Sequence, residues 1–113
     1  MNQKTSATGT VTHNFQTGAI FYHTTPSANF TCNITNLPTT ANRSYVVTLI
    51  IVQAASGSAY YANALQIAGS AVTVKWPLVT TPTPVVNRVE VQSFTLYYSG
   101  SAWTALGQYT SFG

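Results

Sequence analysis

No aspartate occurs among the 113 residues, and glutamate occurs once, at Glu90. That scarcity excludes several chemistries. Glycoside hydrolysis needs two carboxyl groups flanking the scissile bond, which one chain cannot supply. A Ser-His-Asp triad lacks its aspartate, with Glu90 the only orienting group left. The basic residues are also few and scattered, at Lys4, Arg43, Lys75 and Arg88. Four separated cations do not form the clustered patch that nucleic acid binding requires, so no nucleic acid partner is expected. One cysteine, Cys32, excludes an intrachain disulfide. Long apolar runs are missing: the longest, Tyr45 to Val52, is interrupted by Thr48 and is too short to span a bilayer as a helix. No membrane insertion is expected. The opening Met1-Asn2-Gln3-Lys4-Thr5-Ser6 has no apolar stretch of the secretory kind.

Charged residues make up 4% of the chain, against about 25% in an average soluble domain. Disorder does not explain this, because 45% of the chain is hydrophobic and it carries seven Tyr, five Phe and two Trp. The polarity comes from neutral Thr, Ser, Asn and Gln. These residues, with β-branched and aromatic partners, suit a pleated surface and not a helical one. A surface so poor in charge also suits contact with other subunits better than solitary life in water.

Residues 1–8 read as a polar lead-in and 9–113 as a single domain. β-favouring segments at Thr10–Phe15 and Ala19–His23 flank a turn at Gln16-Thr17-Gly18. Phe30, Cys32 and Ile34 alternate against Thr31 and Asn33, the period-2 signature of a half-buried strand. Tyr45–Val52 is apolar on both faces, which predicts a central strand covered on both sides. Ala64–Ala68 predicts a further strand, and Val72, Val74 and Trp76 alternate against Thr73 and Lys75. Prolines at 77, 82 and 84 make Pro77–Pro84 irregular. Phe94, Leu96 and Tyr98 share a face of a strand that turns at Ser99-Gly100-Ser101 and returns through Trp103–Leu106. Seven to eight short strands with turns between them predict an all-β fold, an antiparallel β-sandwich of jelly-roll type.

Candidate sites are sparse. No catalytic residues, metal ligands or cofactors are expected. Cys32 reads as a small core residue, and His13, His23 and Cys32 match no compact zinc spacing. Arg88 and Glu90, two apart on an extended segment, share a face and form a candidate ion pair. Sequons at Asn29, Asn33 and Asn42 are no more than a Thr-rich composition produces. Exposed rings amid neutral polar groups suit sugar stacking, with Tyr60, Tyr61, Tyr97 and Trp103 as candidate surface contacts; core or subunit packing is the commoner use of such rings. Alternation separates Tyr97 from Tyr98, so one of them faces outward.

An ordered set of short segments carries a family likeness. It begins with Thr8-Gly9-Thr10-Val11, Ile20-Phe21-Tyr22-His23-Thr24 and Asn29-Phe30-Thr31. It continues through Asn36-Leu37-Pro38-Thr39-Thr40, Leu49-Ile50-Ile51-Val52-Gln53, Gln66-Ile67-Ala68-Gly69, Trp76, Pro82-Thr83 and Asn87. It ends with Ser93-Phe94-Thr95-Leu96, Trp103-Thr104-Ala105-Leu106-Gly107 and Phe112-Gly113. The chain resembles β modules found, often at the C-terminal end, in virion structural and tail-fibre proteins of marine tailed phages, especially those infecting cyanobacteria. Two departures stand out: Leu78 and Val79 lie where the resembled modules often have glycines, and Glu90 replaces a common aspartate. The resemblance implies a module on a phage particle, assembled as a homotrimer with itself and with other virion proteins. It further implies a place in a tail fibre or appendage with host attachment through a cell-surface glycan, and no catalytic residues. A capsid decoration protein and a free glycan-binding, lectin-like domain are the alternatives.

Overall fold

A computed structural model describes residues 2–113. Ten strands and two short 3-10 turns form two packed sheets. The first six strands are β1 (Asn2–Thr5), β2 (Gly9–Asn14), β3 (Ile20–Thr24), β4 (Phe30–Thr35), β5 (Arg43–Val52) and β6 (Ala62–Ile67). After them come β7 (Ser70–Val72), β8 (Val74–Lys75), β9 (Val89–Tyr98) and β10 (Trp103–Phe112). One sheet has six strands in the order β1-β3-β5-β9-β10-β8, and the other has four, β2-β4-β6-β7.

The all-β, two-sheet sandwich expectation holds, but the sheets are mixed and not antiparallel throughout. Pairs β1–β3, β3–β5, β2–β4 and β4–β6 are all parallel. The cause lies in the turns. Gln16-Thr17-Gly18 does not fold a hairpin; it carries the chain from the four-stranded sheet across to the six-stranded one. Odd and even strands thus alternate between sheets through β6, and each return to a sheet runs in the same direction as the last. The result is three stacked rungs. Antiparallel pairing joins β5 to β9 across a long connection, and otherwise appears at two hairpins. One is at Ala68-Gly69, both with positive φ (51° and 82°) as a tight primed turn needs. The other joins β9 to β10.

The lead-in is also more than a tail. Asn2–Thr5 forms an edge strand in register with Phe21–Thr24. Val72, Val74 and Trp76 keep their alternation, yet the segment changes sheets at Thr73, so β7 pairs with β6 while β8 pairs with β10. Pro77–Pro84 is irregular as expected. Within it, Leu78 and Val79 take left-handed φ of 54° and 57°. Left-handed backbone costs a non-glycine residue about 1–2 kcal/mol.

Between the sheets lies one core. Phe21, Val47, Leu49, Ile51, Phe94 and Leu96 from one sheet meet Phe30, Cys32, Ile34, Leu65 and Ile67 from the other, all buried. Gly107 belongs to this layer because the Trp76 ring lies over it; a Cβ there would come within 2.5 Å of that ring and 2.6 Å of Val74. Overpacking of this kind costs about 1–3 kcal/mol. Gly107→Ala is therefore expected to lower the melting temperature by about 4–12 °C, read by circular dichroism. An unchanged melt would show that Trp76 swings aside freely.

Candidate functional site

Strand alternation gives each sheet an outer face, and the two outer faces differ in kind. On the four-stranded sheet it is Thr10, Thr12 and Asn14, then Thr31, Asn33 and Thr35, with Gln66: neutral groups that water solvates well. On the six-stranded sheet it is mixed but richer in apolar side chains, its more polar rows being Ile20-Thr48-Ser93-Gln108 and Ser44-Tyr97-Thr104. The remaining rows across the paired strands read Tyr22-Ile50-Val91-Thr110, then Thr24-Val52-Val89-Phe112, then Val46-Thr95-Leu106. Of the nine exposed large hydrophobic residues among those described, six lie here: Ile20, Val46, Val89, Tyr97, Leu106 and Phe112. Phe112 is 56% exposed and Val46 51%. No charged residue lies on this face across β3, β5, β9 and β10.

This corrects one expectation. Tyr45–Val52 is central, but only its inner residues Val47, Leu49 and Ile51 are covered; Val46, Ile50 and Val52 lack a second layer within the chain. A strand apolar on both faces normally has both covered.

The sequence-derived site residues do not converge. Tyr97 is the ring that faces outward, at 42% exposure on the apolar face. Trp103 is half-buried at the same end of the β9–β10 hairpin but packs toward the core, its ring 5.0 Å from Tyr98 and 6.3 Å from Tyr45. Tyr61 packs inward between Trp76 and Tyr109, with ring centroids 6.3 Å and 5.7 Å away. Tyr60 is half-buried and held by its backbone: its carbonyl accepts from Gln53 Nε2 at 2.6 Å and its N–H donates to Gln53 Oε1 at 3.1 Å. No Tyr60–Tyr61 platform results.

The expected Arg88–Glu90 ion pair does not form. Arg88 precedes β9, is exposed and reaches Ser111 Oγ at 3.5 Å. Glu90 is fully buried, on the same inward register as Gln92, Phe94 and Leu96. Its carboxylate accepts from the Tyr109 hydroxyl at 2.6 Å, from Gln53 Nε2 at 2.9 Å and from the Val85 N–H at 3.1 Å. The lone acid is thus a brace that ties β9 and β10 to the loops around Tyr60 and Val85. Burial pushes the Tyr109 hydroxyl well above its usual range, and the hydrogen bond to Glu90 adds to this, so the phenol stays a donor. Gln92 clamps Ala62 likewise, accepting from its N–H at 3.1 Å and donating to its carbonyl at 2.7 Å. Both glutamines escaped the sequence reading. Their signal was present in the inward parity of Glu90-x-Gln92-x-Phe94-x-Leu96 and of Val47-x-Leu49-x-Ile51-x-Gln53.

A second buried polar group joins residues that sequence spacing kept apart. His13 Nε2 and His23 Nε2 are 2.9 Å apart, and Cys32 Sγ is 3.4 Å from His13 Nδ1. Because the thiol and His23 occupy opposite edges of the His13 ring, they do not converge on one point as ligands of a single ion would. All three are fully buried, which leaves no path for a substrate. His13 packs edge-on to Phe21 at 4.8 Å, and His23 stacks on Phe30 at 4.8 Å. Burial lowers both imidazoles, His13 to about 3 and His23 to about 4, with the positive neighbours His23 and Lys4 adding to the effect on His13 and Lys4 to that on His23. Burial also raises the Cys32 thiol far above its usual value, so it remains protonated and unreactive. Among the described residues no helix is long and apolar enough to cross a membrane.

Compared with models of protein families, with curated proteins and with solved structures, the chain matches none of them.

Proposed function

We propose that this chain is a non-catalytic structural module of a phage particle, assembled as a homotrimer through the outer face of its six-stranded sheet, in a tail fibre or surface appendage that contacts the host. The observation that carries the assembly half is the uncovered apolar face. Val46, Ile50 and Val52 continue the hydrophobic run of the central strand outward, where nothing in the chain meets them. Strands about 4.8 Å apart rising ~3.3 Å per residue give this sheet an outer face on the order of 650 Å². Three such faces closed around a three-fold axis bury roughly 1,950 Å² in all, or ~650 Å² for each pair of neighbours. Around a three-fold axis each face meets its neighbours heterologously, and the lack of charge across β3, β5, β9 and β10 lets three such faces close together without repulsion. The phage attribution rests on the resemblance of the ordered segments, and the stacked parallel rungs suit an elongated appendage.

Light scattering coupled to size exclusion tests the assembly. The wild-type chain is expected to elute as a trimer at micromolar concentration. Val91→Lys places a charge in the middle of the face, where half-buried Val91 pairs laterally with Ile50 and Thr110. It is expected to give a folded monomer, with the trimer weakened at least about a hundredfold. A monomeric wild-type chain would discard the trimer. Decoration of a capsid shell remains the second reading, and the same face would then bind the shell; co-sedimentation with empty capsids separates the two.

A further inference from the structure

Where the chain leaves the four-stranded sheet at Thr73, it opens a cleft of about 450 Å³ between β7, β8 and the start of β10, lined among others by Ser70, Thr73, Lys75, Trp103 and Thr104. We infer that this cleft binds a carboxylate-bearing oligosaccharide, with Lys75 pairing the carboxylate and the Trp103 indole meeting a sugar ring.

The chemistry is read from the lining. Lys75 is exposed, and the chain has no acidic side chain to offer it, since Glu90 is buried and bound to Tyr109, Gln53 and Val85. An unpaired cation at a cleft is complementary to an anionic occupant. A second copy of the chain cannot be that occupant through its side chains, because its only carboxylate side chain is equally buried. Trp103 is fixed from behind by Tyr98 and Tyr45, so it offers a ring whose orientation is set before binding. Hydroxyls of Ser70, Thr73 and Thr104 share the lining with Ala71, Val72 and Ala102. Sugars present that same mixture of hydroxyl edges and apolar faces, whereas a lipid chain would leave the hydroxyls unpaired. The volume falls among small-ligand sites, which run from about 300 to 1,000 Å³.

The inference rests on the host-contact half of the reading above; Lys75 is the lateral partner of Leu106, so the cleft lies at the β8 rim of the face proposed for assembly. It is tested by titrating the assembled protein with oligosaccharides of galacturonate, glucuronate and mannuronate, following tryptophan fluorescence and binding heat. Neutral oligosaccharides of equal length and citrate serve as comparisons. At least one uronate series is expected to bind, with its neutral counterpart weaker by about tenfold or more. Lys75→Ala is expected to lose about tenfold in affinity and Lys75→Arg to retain most of it, while light scattering shows the same assembly for both. Absence of binding across the panel at millimolar ligand would overturn the inference. So would equal binding of the neutral sugars, equal binding of citrate, or an undiminished Lys75→Ala. Uronate binding by a chain that proves monomeric supports the cleft and discards only the trimer.

Discussion

Replacing Glu90 with alanine is expected to destabilise the fold by about 3–5 kcal/mol, although Glu90 is the only acidic side chain and pairs with no cation. Its carboxylate satisfies three donors at once: the Tyr109 hydroxyl, the Gln53 amide and the Val85 backbone N–H. Truncation leaves them facing a cavity, and each buried donor without a partner costs about 1–3 kcal/mol. The loss corresponds to a fall in melting temperature of about 10–20 °C for a domain of this size. Glu90→Gln keeps one acceptor oxygen for Tyr109 and is expected to cost about 1–2 kcal/mol. Urea titration of the two variants measures both values. An alanine variant within about 1 kcal/mol of wild type would mean that water replaces the carboxylate without penalty. The loops around Tyr60 and Val85 should also loosen before the sheets do, which amide exchange at Tyr60 and Val85 reports.

Acid is expected to weaken the protein steeply, and the buried histidine pair is the reason. In the folded state His13 and His23 are held neutral down to about pH 3 and about pH 4. In the unfolded chain both take up protons near the ordinary value of about 6.5. Below that value the unfolded state binds more protons than the folded state, so stability rises with pH and falls on acidification. The contribution is complete above about pH 7 and is lost on acidification from about pH 6.5, down to about pH 4 for His23 and about pH 3 for His13. With both imidazoles protonating only on unfolding, the slope through that window approaches ~2.7 kcal/mol per pH unit, or ~1.4 per proton. His23→Phe, which retains a ring against Phe30, is expected to halve the slope whatever its effect on stability at neutral pH. Denaturant melts at half-unit pH steps supply the measurement. A slope unchanged by His23→Phe would exclude the pair as its source. The scarcity of carboxylates makes this acid limb unusually clean, because few other groups titrate there.

Much of the fold was legible along the chain, and the failures share a cause. The alternation of Phe30, Cys32 and Ile34 announced an inward face, and all three are buried. The same parity at Phe94 and Leu96 extends back to Gln92 and Glu90, so the ion pair with Arg88 was a local reading of a longer pattern. The turn at Gln16-Thr17-Gly18 was legible as a turn. Whether it folds a hairpin or crosses between sheets depends on where the next strand finds hydrogen bonds, and that partner, Thr48–Val52 for β3, lies far along the chain. His13, His23 and Cys32 match no ligand spacing because their proximity is made across two sheets, from β2, β3 and β4.

The sparse charge, the strand segments and the side of each strand that faces inward were thus properties of the sequence, since composition and a two-residue period are local. Tertiary structure decided the rest. It set strands parallel by sending successive segments to opposite sheets, buried the only acid as a brace, and brought two histidines and a thiol into one core. It also left one face of a strand apolar on both sides without a cover, because pairing and packing join residues that no local pattern connects.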